Sequence, residues 1–112
     1  MQLKAESPIP MSPGRFSLTL THLAKEDFQD ILIYAEQTWG AKQANSYAEM
    51  LDTALQSLQS VPEKGSNLEG TAYLFVRAGK HRIFYGVYGS EVRVVRILHG
   101  RMDFETHLTD KA

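Results

Sequence analysis

Residues 92–103 read Val-Arg-Val-Val-Arg-Ile-Leu-His-Gly-Arg-Met-Asp, and this stretch decides how the rest of the chain is interpreted. Its Val and Ile residues are typical of a strand with a half-buried surface. Arg93 and Arg96 interrupt the apolar pattern, and the strand leads directly into His99 and Arg101. Arginines within a strand and a histidine at its end indicate a binding or reaction surface. An edge strand with solvated arginines has the same pattern, and the sequence leaves both interpretations open.

Two more strands are predicted immediately before this one. They span residues 72–77 and 82–88, and the strand in the quoted stretch spans residues 91–99. Glycine-containing turn signals separate the three strands, at residues 78–80 and at Gly89-Ser90. Because strands joined by such short turns pair with their neighbours, the sequence predicts a three-stranded antiparallel meander.

Two amphipathic helices are predicted upstream of the meander. The first begins at Thr21 or His22, and Gly40 ends it as a C-terminal cap. The second follows at once and ends before Pro62, so that the two helices form an antiparallel hairpin. Apolar residues recur at helical spacing in both, and we expect these stripes to face the core. The stripes are Ala24, Phe28, Ile31, Ala35 and Trp39 in the first helix and Ala44, Tyr47, Leu51, Ala54, Leu58 and Val61 in the second.

The complete order of elements is strand, helix, helix, strand, strand, strand. Residues 15–21 alternate apolar and polar side chains, which predicts an N-terminal strand with one buried face. A short helix is also expected at residues 103–108. Since the helix hairpin must cover one face of the meander, the predicted fold class is α+β.

Length and composition predict one packed domain. The chain has 112 residues, of which 43% are hydrophobic, enough for a single core. We assign the domain to residues 15–108 and a C-terminal tail to residues 109–112. Residues 1–14 contain three of the four prolines and are expected to form a flexible arm. Met11 is an alternative translation start.

Composition also disfavours several classes of protein and site. The chain has no cysteine, no apolar run near the roughly 20 residues of a membrane helix and no secretory signal, so we expect a cytoplasmic protein without membrane contact. The net charge of −1 conceals a basic segment at residues 71–102, with six basic residues and one acidic residue. A pI of about 6.4 nonetheless argues against sequence-specific or general nucleic-acid binding. No cofactor is expected and no metal either, because the histidines lack ligand spacing.

Five side chains are candidates for a common site at one end of the sheet. Arg77, His81 and Tyr85 recur at four-residue spacing across a turn, and Arg96 and His99 come from the next strand. Arginine can bind a phosphate or a carboxylate, histidine can act as acid or base, and tyrosine can donate a hydrogen bond. The alternative is that Tyr85 is a core aromatic residue and that His81 is a turn residue bonded to the backbone.

A series of motifs runs through nearly the whole chain after Gly14. They are Ala24-x-x-Asp27-Phe28-x-x-Ile31-x-x-Tyr34, Trp39-Gly40-x-x-Gln43-Ala44-x-x-Tyr47, Leu58 with Pro62 and Gly65, Arg77-x-x-x-His81-x-Ile83-x-Tyr85, and Val92-x-Val94-x-Arg96-Ile97-Leu98-His99-Gly100-Arg101-Met102-Asp103. In order and spacing they resemble the ParE branch of the RelE/ParE toxin superfamily, the toxins of bacterial type II toxin–antitoxin pairs. The resemblance implies the same succession of strand, helix hairpin and meander.

The resemblance implies a toxin and leaves two mechanisms open. ParE-like members poison DNA gyrase by protein contact, whereas RelE-like members cut messenger RNA on the ribosome. A ribonuclease would use as its catalytic residues Arg77, Tyr85, Arg96 and His99, whereas a gyrase poison has no established catalytic residue. The modest charge favours the gyrase inhibitor, because RNA cleavage calls for several cations around the scissile phosphate. A non-toxic binding module of the same fold is a third interpretation.

The resemblance also implies a cognate antitoxin, a small protein whose acidic C-terminal segment wraps the toxin. We expect that segment to lie in the outer groove of the helix hairpin and on the basic sheet, and the sequence leaves open whether the assembly is a homodimer or a hetero-oligomer. Arg101 is expected to be needed for toxicity, and Arg96 to pair with Asp103 or a helix carboxylate. The residues expected to contact the target or the antitoxin are Arg77, His81, Arg93, Arg96, His99, Arg101, Met102 and Asp103.

Overall fold

The helices and strands follow the order that the sequence predicts, with one short strand added. The computed structural model describes residues 16–100, and the predicted arm, the predicted helix at residues 103–108 and the predicted tail lie outside the described residues. The elements are β1 (Ser17–Leu20), α1 (His22–Trp39), α2 (Ala41–Ser60), a 3-10 turn (Pro62–Lys64), β2 (Ser66–Asn67), β3 (Leu74–Ala78), β4 (His81–Tyr88) and β5 (Glu91–His99). Within residues 16–100, neither helix combines the length and the apolar character needed to cross a membrane.

Within the described residues, five strands form one sheet in the order β1-β5-β4-β3-β2. The strands β3, β4 and β5 pair antiparallel with their neighbours in sequence, which confirms the predicted meander. The N-terminal strand β1 pairs in parallel with the last strand, with Ser17 opposite Glu91 and Leu20 opposite Val94. The sequence did not predict this pairing, because no turn joins the two strands and no local signal marks their contact.

The helix hairpin has the boundaries that capping residues predict. The Thr21 hydroxyl accepts a hydrogen bond from the backbone N–H of Ala24 and so satisfies one of the free amides at the start of α1. Gly40 ends α1 with φ at 95° and donates its N–H to the carbonyl of Glu36. A residue with a side chain would be strained at this φ, so glycine allows α2 to begin immediately after α1.

The main core lies between the helix hairpin and one face of the sheet. Leu51 is fully buried in this core, as predicted. Among the described residues the core contains ten buried ones: Ala24, Leu51, Leu55, Leu58, Ala78, Ile83, Tyr85, Val92, Val94 and Ile97. Two predictions for the apolar stripes are wrong, because Trp39 is 46% exposed and Val61 is 50% exposed. Both lie at the C-terminal end of a helix, and periodicity alone does not show how far the covering surface extends.

The opposite face of the sheet carries a second, smaller apolar cluster, in which Phe84 and Leu98 are buried. The partly buried residues that pack against them come from the strands and from the segment between β2 and β3, and no helix residue belongs to this cluster among the described residues. We refer to this side as the open face of the sheet. Side chains alternate along a strand, so neighbouring residues of β3 and β4 point to opposite faces of the sheet. In β5 a register shift between Val94 and Arg96 interrupts this alternation.

Candidate functional site

A row of five rings runs from the turn between α1 and α2 to the end of the sheet at which β4 begins and β5 ends. Neighbouring ring centres are separated by 5.9 Å between Tyr34 and Trp39, 6.5 Å between Trp39 and Tyr47, 5.6 Å between Tyr47 and His81, and 5.5 Å between His81 and His99. The histidines are brought together by the register of the sheet, which places His81 directly opposite His99. Two residues that the sequence named as candidates therefore do share one site.

Hydrogen bonds fix the protonation state of His81. The backbone N–H of Lys80 donates to the Tyr47 hydroxyl over 2.9 Å, and the hydroxyl oxygen lies 2.7 Å from His81 Nδ1. The hydroxyl proton has a more distant alternative acceptor in the carbonyl of Ala78, at 3.5 Å. Since Nδ1 is the closer acceptor, the ring carries its proton on Nε2. Burial lowers the pKa of His81 below 6.5, and the neighbouring His99 lowers it further against a smaller opposing effect of Asp27, so His81 is neutral at pH 7.

The turn between β3 and β4 lies directly against the Tyr47 ring. Gly79 has φ at 60°, and a Cβ atom there would lie 2.6 Å from the Tyr47 hydroxyl oxygen. Glycine is therefore required both by the backbone conformation and by the close approach of the ring. The contact holds Lys80 and His81 in place on the side of the sheet that faces the helix hairpin.

Three adjoining cavities of about 580, 370 and 270 Å³ follow the row of rings, and we call them together the ring groove. Trp39 lines two of them while 46% exposed, and the Lys80 ammonium lies 5.6 Å from the centre of its ring. The groove is lined by Asp27, Asp30, Ile31, Tyr34, Trp39, Gln43, Ser46, Tyr47, Met50, Lys80, His81, Arg96, Ile97, Leu98 and His99. A groove with an aromatic wall is suited to holding an apolar side chain of a partner.

Arg96 borders this groove but is bound to a helix carboxylate. Its Nε and Nη2 atoms donate to the two carboxylate oxygens of Asp27, over 2.8 and 2.9 Å, and this pairing raises the pKa of Arg96. The backbone N–H of Ile97 donates to the same carboxylate. β1 ends opposite Val94, so Asp27 replaces a strand partner along the remaining edge of β5. Arg96 therefore links β5 to α1. Its partner is a helix carboxylate, which is one of the two partners that the sequence predicted.

Tyr85 does not belong to the surface site for which the sequence made it one of five candidates. Its side chain is fully buried, its hydroxyl donates to the carbonyl of Pro62 over 2.6 Å, and it accepts from the backbone N–H of Gly65. Burial raises the pKa of Tyr85 above 10.0. These two hydrogen bonds hold the segment after α2 against the sheet. The interpretation of Tyr85 as a core aromatic residue is therefore correct.

The remaining candidates lie elsewhere. Arg77 and Arg93 are on the open face of the sheet, where Arg93 pairs with Glu91 over 3.1 Å and lies 4.4 Å from the Tyr88 ring centre. The ribonuclease set Arg77, Tyr85, Arg96 and His99 is thus not assembled at one place. The candidates Arg101, Met102 and Asp103 lie outside the described residues.

Sequence reasoning did not name Tyr34, Trp39, Tyr47 or Lys80 as site residues, although all four line the ring groove. Trp39 and Tyr47 were assigned to the apolar stripes, which is correct for Tyr47, since it packs against the core, but hid the exposed ring of Trp39. One signal was available, because Trp39 is the last residue before the glycine that ends the helix. Within an apolar stripe, the last residue of the helix is the one whose burial is least certain.

Comparison with known proteins assigns this chain to a family. Residues 18–104 match the family model described as the ParE toxin of the type II toxin–antitoxin system parDE. Toxin ParE1 of Caulobacter vibrioides is 36% identical over 91 residues, which cover 80% of this chain and 94% of that protein. Toxin ParE of Escherichia coli is 33% identical over 95 residues, covering 82% of this chain and 92% of that protein.

Solved structures share the fold at lower sequence identity. A chain of the chromosomal ParDE toxin–antitoxin system from P. aeruginosa superposes with a TM-score of 0.69 and 20% identity, covering 77% of this chain and 97% of that one. A chain of the RelBE2 toxin–antitoxin complex from Mycobacterium tuberculosis superposes with a TM-score of 0.56 and 16% identity, covering 79% and 94%.

Proposed function

Because this chain belongs to the ParE toxin family of type II toxin–antitoxin systems, we propose that it inhibits DNA gyrase by direct protein contact and that a cognate antitoxin neutralises it. The observation that carries this proposal is the ring groove, whose exposed Trp39 and Tyr34 suit the burial of a partner's side chain. Exposed aromatic residues in a groove are the kind of residue that dominates the energy of protein–protein contacts. The toxin would act in the cytoplasm, where gyrase is found.

The ribonuclease alternative has weaker support from the same residues. Tyr85, which would serve as its acid or base, is sealed in the core, and Arg96 has its charge taken up by Asp27. A phosphorane intermediate needs cations that are free to bind it. His99 and His81 remain accessible from the ring groove, so the experiment below includes RNA cleavage as a separate readout.

For the antitoxin, we propose a small protein whose acidic C-terminal segment places an apolar side chain in the ring groove. Lys80 lies at the groove wall beside Trp39 and offers a positive charge for a carboxylate of that segment. The apolar anchor and the charge contact would together cover the surface proposed to contact the target, so the antitoxin would neutralise the toxin by blocking that surface.

Induced expression in bacteria tests the function and the groove together. The wild-type chain is expected to stop growth, co-expression of the proposed antitoxin is expected to restore growth, and primer extension on cellular mRNA is expected to show no new cleavage. Trp39→Ala is expected to lose toxicity. Tyr88→Ala is the matched control, because Tyr88 is 45% exposed and lies outside the groove.

Two results would contradict the proposal. Unimpaired growth with soluble wild-type protein would refute the assignment as a toxin, and new mRNA cleavage would support the ribonuclease instead. Equal toxicity of the Trp39 and Tyr88 variants would show that the target is contacted elsewhere.

A further inference from the structure

Two histidines from neighbouring strands meet at one end of the ring groove. His81 begins β4 and His99 ends β5, and the register places them directly opposite each other. The backbone N–H of Gly100 donates to the carbonyl of Lys80 over 2.9 Å, so the adjacent pair of histidines occupies a non-hydrogen-bonded position of the ladder. Side chains at such a position lie closer together than at any other in a sheet, and the two ring centres are 5.5 Å apart.

This spacing is close to the one that a shared metal ion requires. Imidazole is a good ligand for Zn²⁺, Cu²⁺ and Ni²⁺. Two imidazoles bound to one tetrahedral Zn²⁺ have ring centres about 5 Å apart, since each Zn–N bond is about 2.0–2.1 Å long. The observed 5.5 Å therefore needs only a small rotation of the two side chains to admit an ion between the rings.

Tyr47 provides the outer contact that orients a metal-bound histidine. A ligating ring coordinates through one nitrogen and donates the N–H of its other nitrogen to an oxygen, which fixes the ring. The Tyr47 hydroxyl oxygen lies 2.7 Å from His81 Nδ1, which leaves Nε2 for the ion. The ring then carries its proton on Nδ1 and donates it to the hydroxyl oxygen, while the hydroxyl proton turns to the carbonyl of Ala78, 3.5 Å away. His99 can likewise coordinate through one nitrogen and keep a hydrogen bond at the other.

The charges around the two rings permit a bound cation. Asp30 is exposed and lines both of the cavities that the two histidines share. The basic residues of these cavities have other partners, since the Lys80 ammonium lies 5.6 Å from the centre of the Trp39 ring and Arg96 is paired with Asp27. Within residues 16–100 no group of three or more His, Cys, Asp or Glu side chains could hold an ion. A site at the two histidines would therefore have two protein ligands, with water in the remaining positions.

We propose that His81 and His99 form a two-histidine site for a divalent transition-metal ion, with Zn²⁺ as the expected occupant, and that Tyr47 positions His81 for it. The ion would join the first residue of β4 to the last residue of β5. Because only the folded chain holds the two rings together, a bound ion stabilises the fold. The site does not depend on which target the toxin inhibits.

Isothermal titration calorimetry with zinc chloride tests the proposal on the full-length chain without a histidine tag. His81→Asn and His99→Asn are each expected to weaken binding at least about tenfold, since loss of even an outer contact costs about 10–100-fold. Tyr47→Phe keeps the ring but removes the hydroxyl, and a weakening of about tenfold is expected. His22→Asn is the matched control, because His22 is exposed and its Nε2 lies 2.8 Å from a Glu26 carboxylate oxygen, outside the groove.

Thermal unfolding with and without Zn²⁺ gives a second readout and shows which variants are folded. The melting temperatures of the wild type and of His22→Asn are expected to rise with Zn²⁺, whereas those of His81→Asn and His99→Asn are expected to stay unchanged. If one of these two variants does not fold, the other variant and Tyr47→Phe provide the comparison.

Four outcomes would overturn all or part of the proposal. The first is the absence of saturable binding by the wild type up to about 1 mM Zn²⁺, the weak end of the affinity scale. Wild-type affinity in both His81→Asn and His99→Asn would show that the two rings only pack together. Equal weakening by His22→Asn would show that exposed histidines bind the ion without a built site, and unchanged affinity of Tyr47→Phe would remove the positioning role of Tyr47. None of these measurements involves gyrase or growth, so failure here is distinguishable from failure of the proposed function.

Discussion

Replacing Asp27 by asparagine tests what holds the helix hairpin to the free edge of β5. The carboxylate accepts hydrogen bonds from Nε and Nη2 of Arg96 and from the backbone amide of Ile97. Asparagine has nearly the same shape, so the substitution removes the negative charge without opening a cavity. Arg96 would then keep its positive charge in a buried position, next to a neutral amide.

The expected cost is large because neither charged group is well solvated. The side chains of Arg96 and Asp27 are 11% and 13% exposed. Removal of one member of a buried ion pair costs about 3–5 kcal/mol. The amide oxygen can still accept from Ile97, so we expect the lower end of this range, a loss of about 3 kcal/mol. For a domain of this size the melting temperature would fall by roughly 10–20 °C.

Urea and thermal unfolding of the full-length chain, followed by circular dichroism, measure this loss. Arg93→Gln serves as the control, because Arg93 also pairs with a carboxylate but in an exposed setting, and its unfolding midpoint is expected to stay unchanged. If Asp27→Asn unfolds within about 0.5 kcal/mol of the wild type, the scatter of ordinary surface substitutions, the ion pair is not the tie between α1 and β5.

Three further predictions concern the core, the buried hydroxyl and pH. Leu51→Ala should lower the free energy of unfolding by about 2–5 kcal/mol, whereas Trp39→Ala should change it by less than about 1 kcal/mol, and the reverse order in urea titrations would mean that the helix faces are misassigned. Tyr85→Phe should cost about 1–3 kcal/mol in the same titration, because it leaves a buried carbonyl and a buried amide without their partner, and a neutral effect would show that water replaces the hydroxyl. The folded-state pKa of His81 is lowered below 6.5, so the unfolded chain binds more protons in the window below 6.5, and stability is lost as the pH falls through that window. The melting temperature of His81→Asn should therefore decline less than that of the wild type between pH 7.5 and pH 5.5 (about one pH unit either side of the ordinary pKa), and parallel declines would contradict the assignment of a neutral His81.

Local signals in the sequence were sufficient for the two helices, for β1 and for the meander, but not for the two-residue strand β2. A threonine cap, a glycine at positive φ and a proline after α2 set the ends of the helices, and period-2 alternation identified β1. These features act within a few residues of one another, so they can be read without knowledge of the fold. The parallel pairing of β1 with β5 could not be predicted, because it joins residues more than 70 positions apart.

The candidate site was predicted only in part, because spacing was followed across a turn. Arg77 and His81 are four residues apart, but the turn at Gly79 and Lys80 pairs Ala78 with His81 and so places Arg77 and His81 on opposite faces. His81 and His99 met as expected, since their strands are adjacent. Register within a hairpin decides which side chains share a face, and a fixed residue spacing does not.

The exposure of Trp39 was the other feature hidden from the sequence. Its position continues the apolar stripe of α1, and only the length of the opposing surface decides whether the last residue of a stripe is covered. For Arg96 the sequence predicted a partner, either Asp103 or a helix carboxylate, but it could not single out Asp27, which lies 69 residues away. Contacts of this kind depend on how the hairpin is set on the sheet, which no local pattern specifies.

Inhibition of gyrase in a purified system tests the central claim most directly. Purified wild-type protein, free of antitoxin, is added to DNA gyrase, ATP and relaxed plasmid, and supercoiling is followed on agarose gels. We expect loss of supercoiling or accumulation of cleaved plasmid with the wild type and with Tyr88→Ala, and normal supercoiling with Trp39→Ala. Unaffected gyrase, together with cleavage of ribosome-bound mRNA by the same preparation, would contradict inhibition by protein contact and establish a ribonuclease.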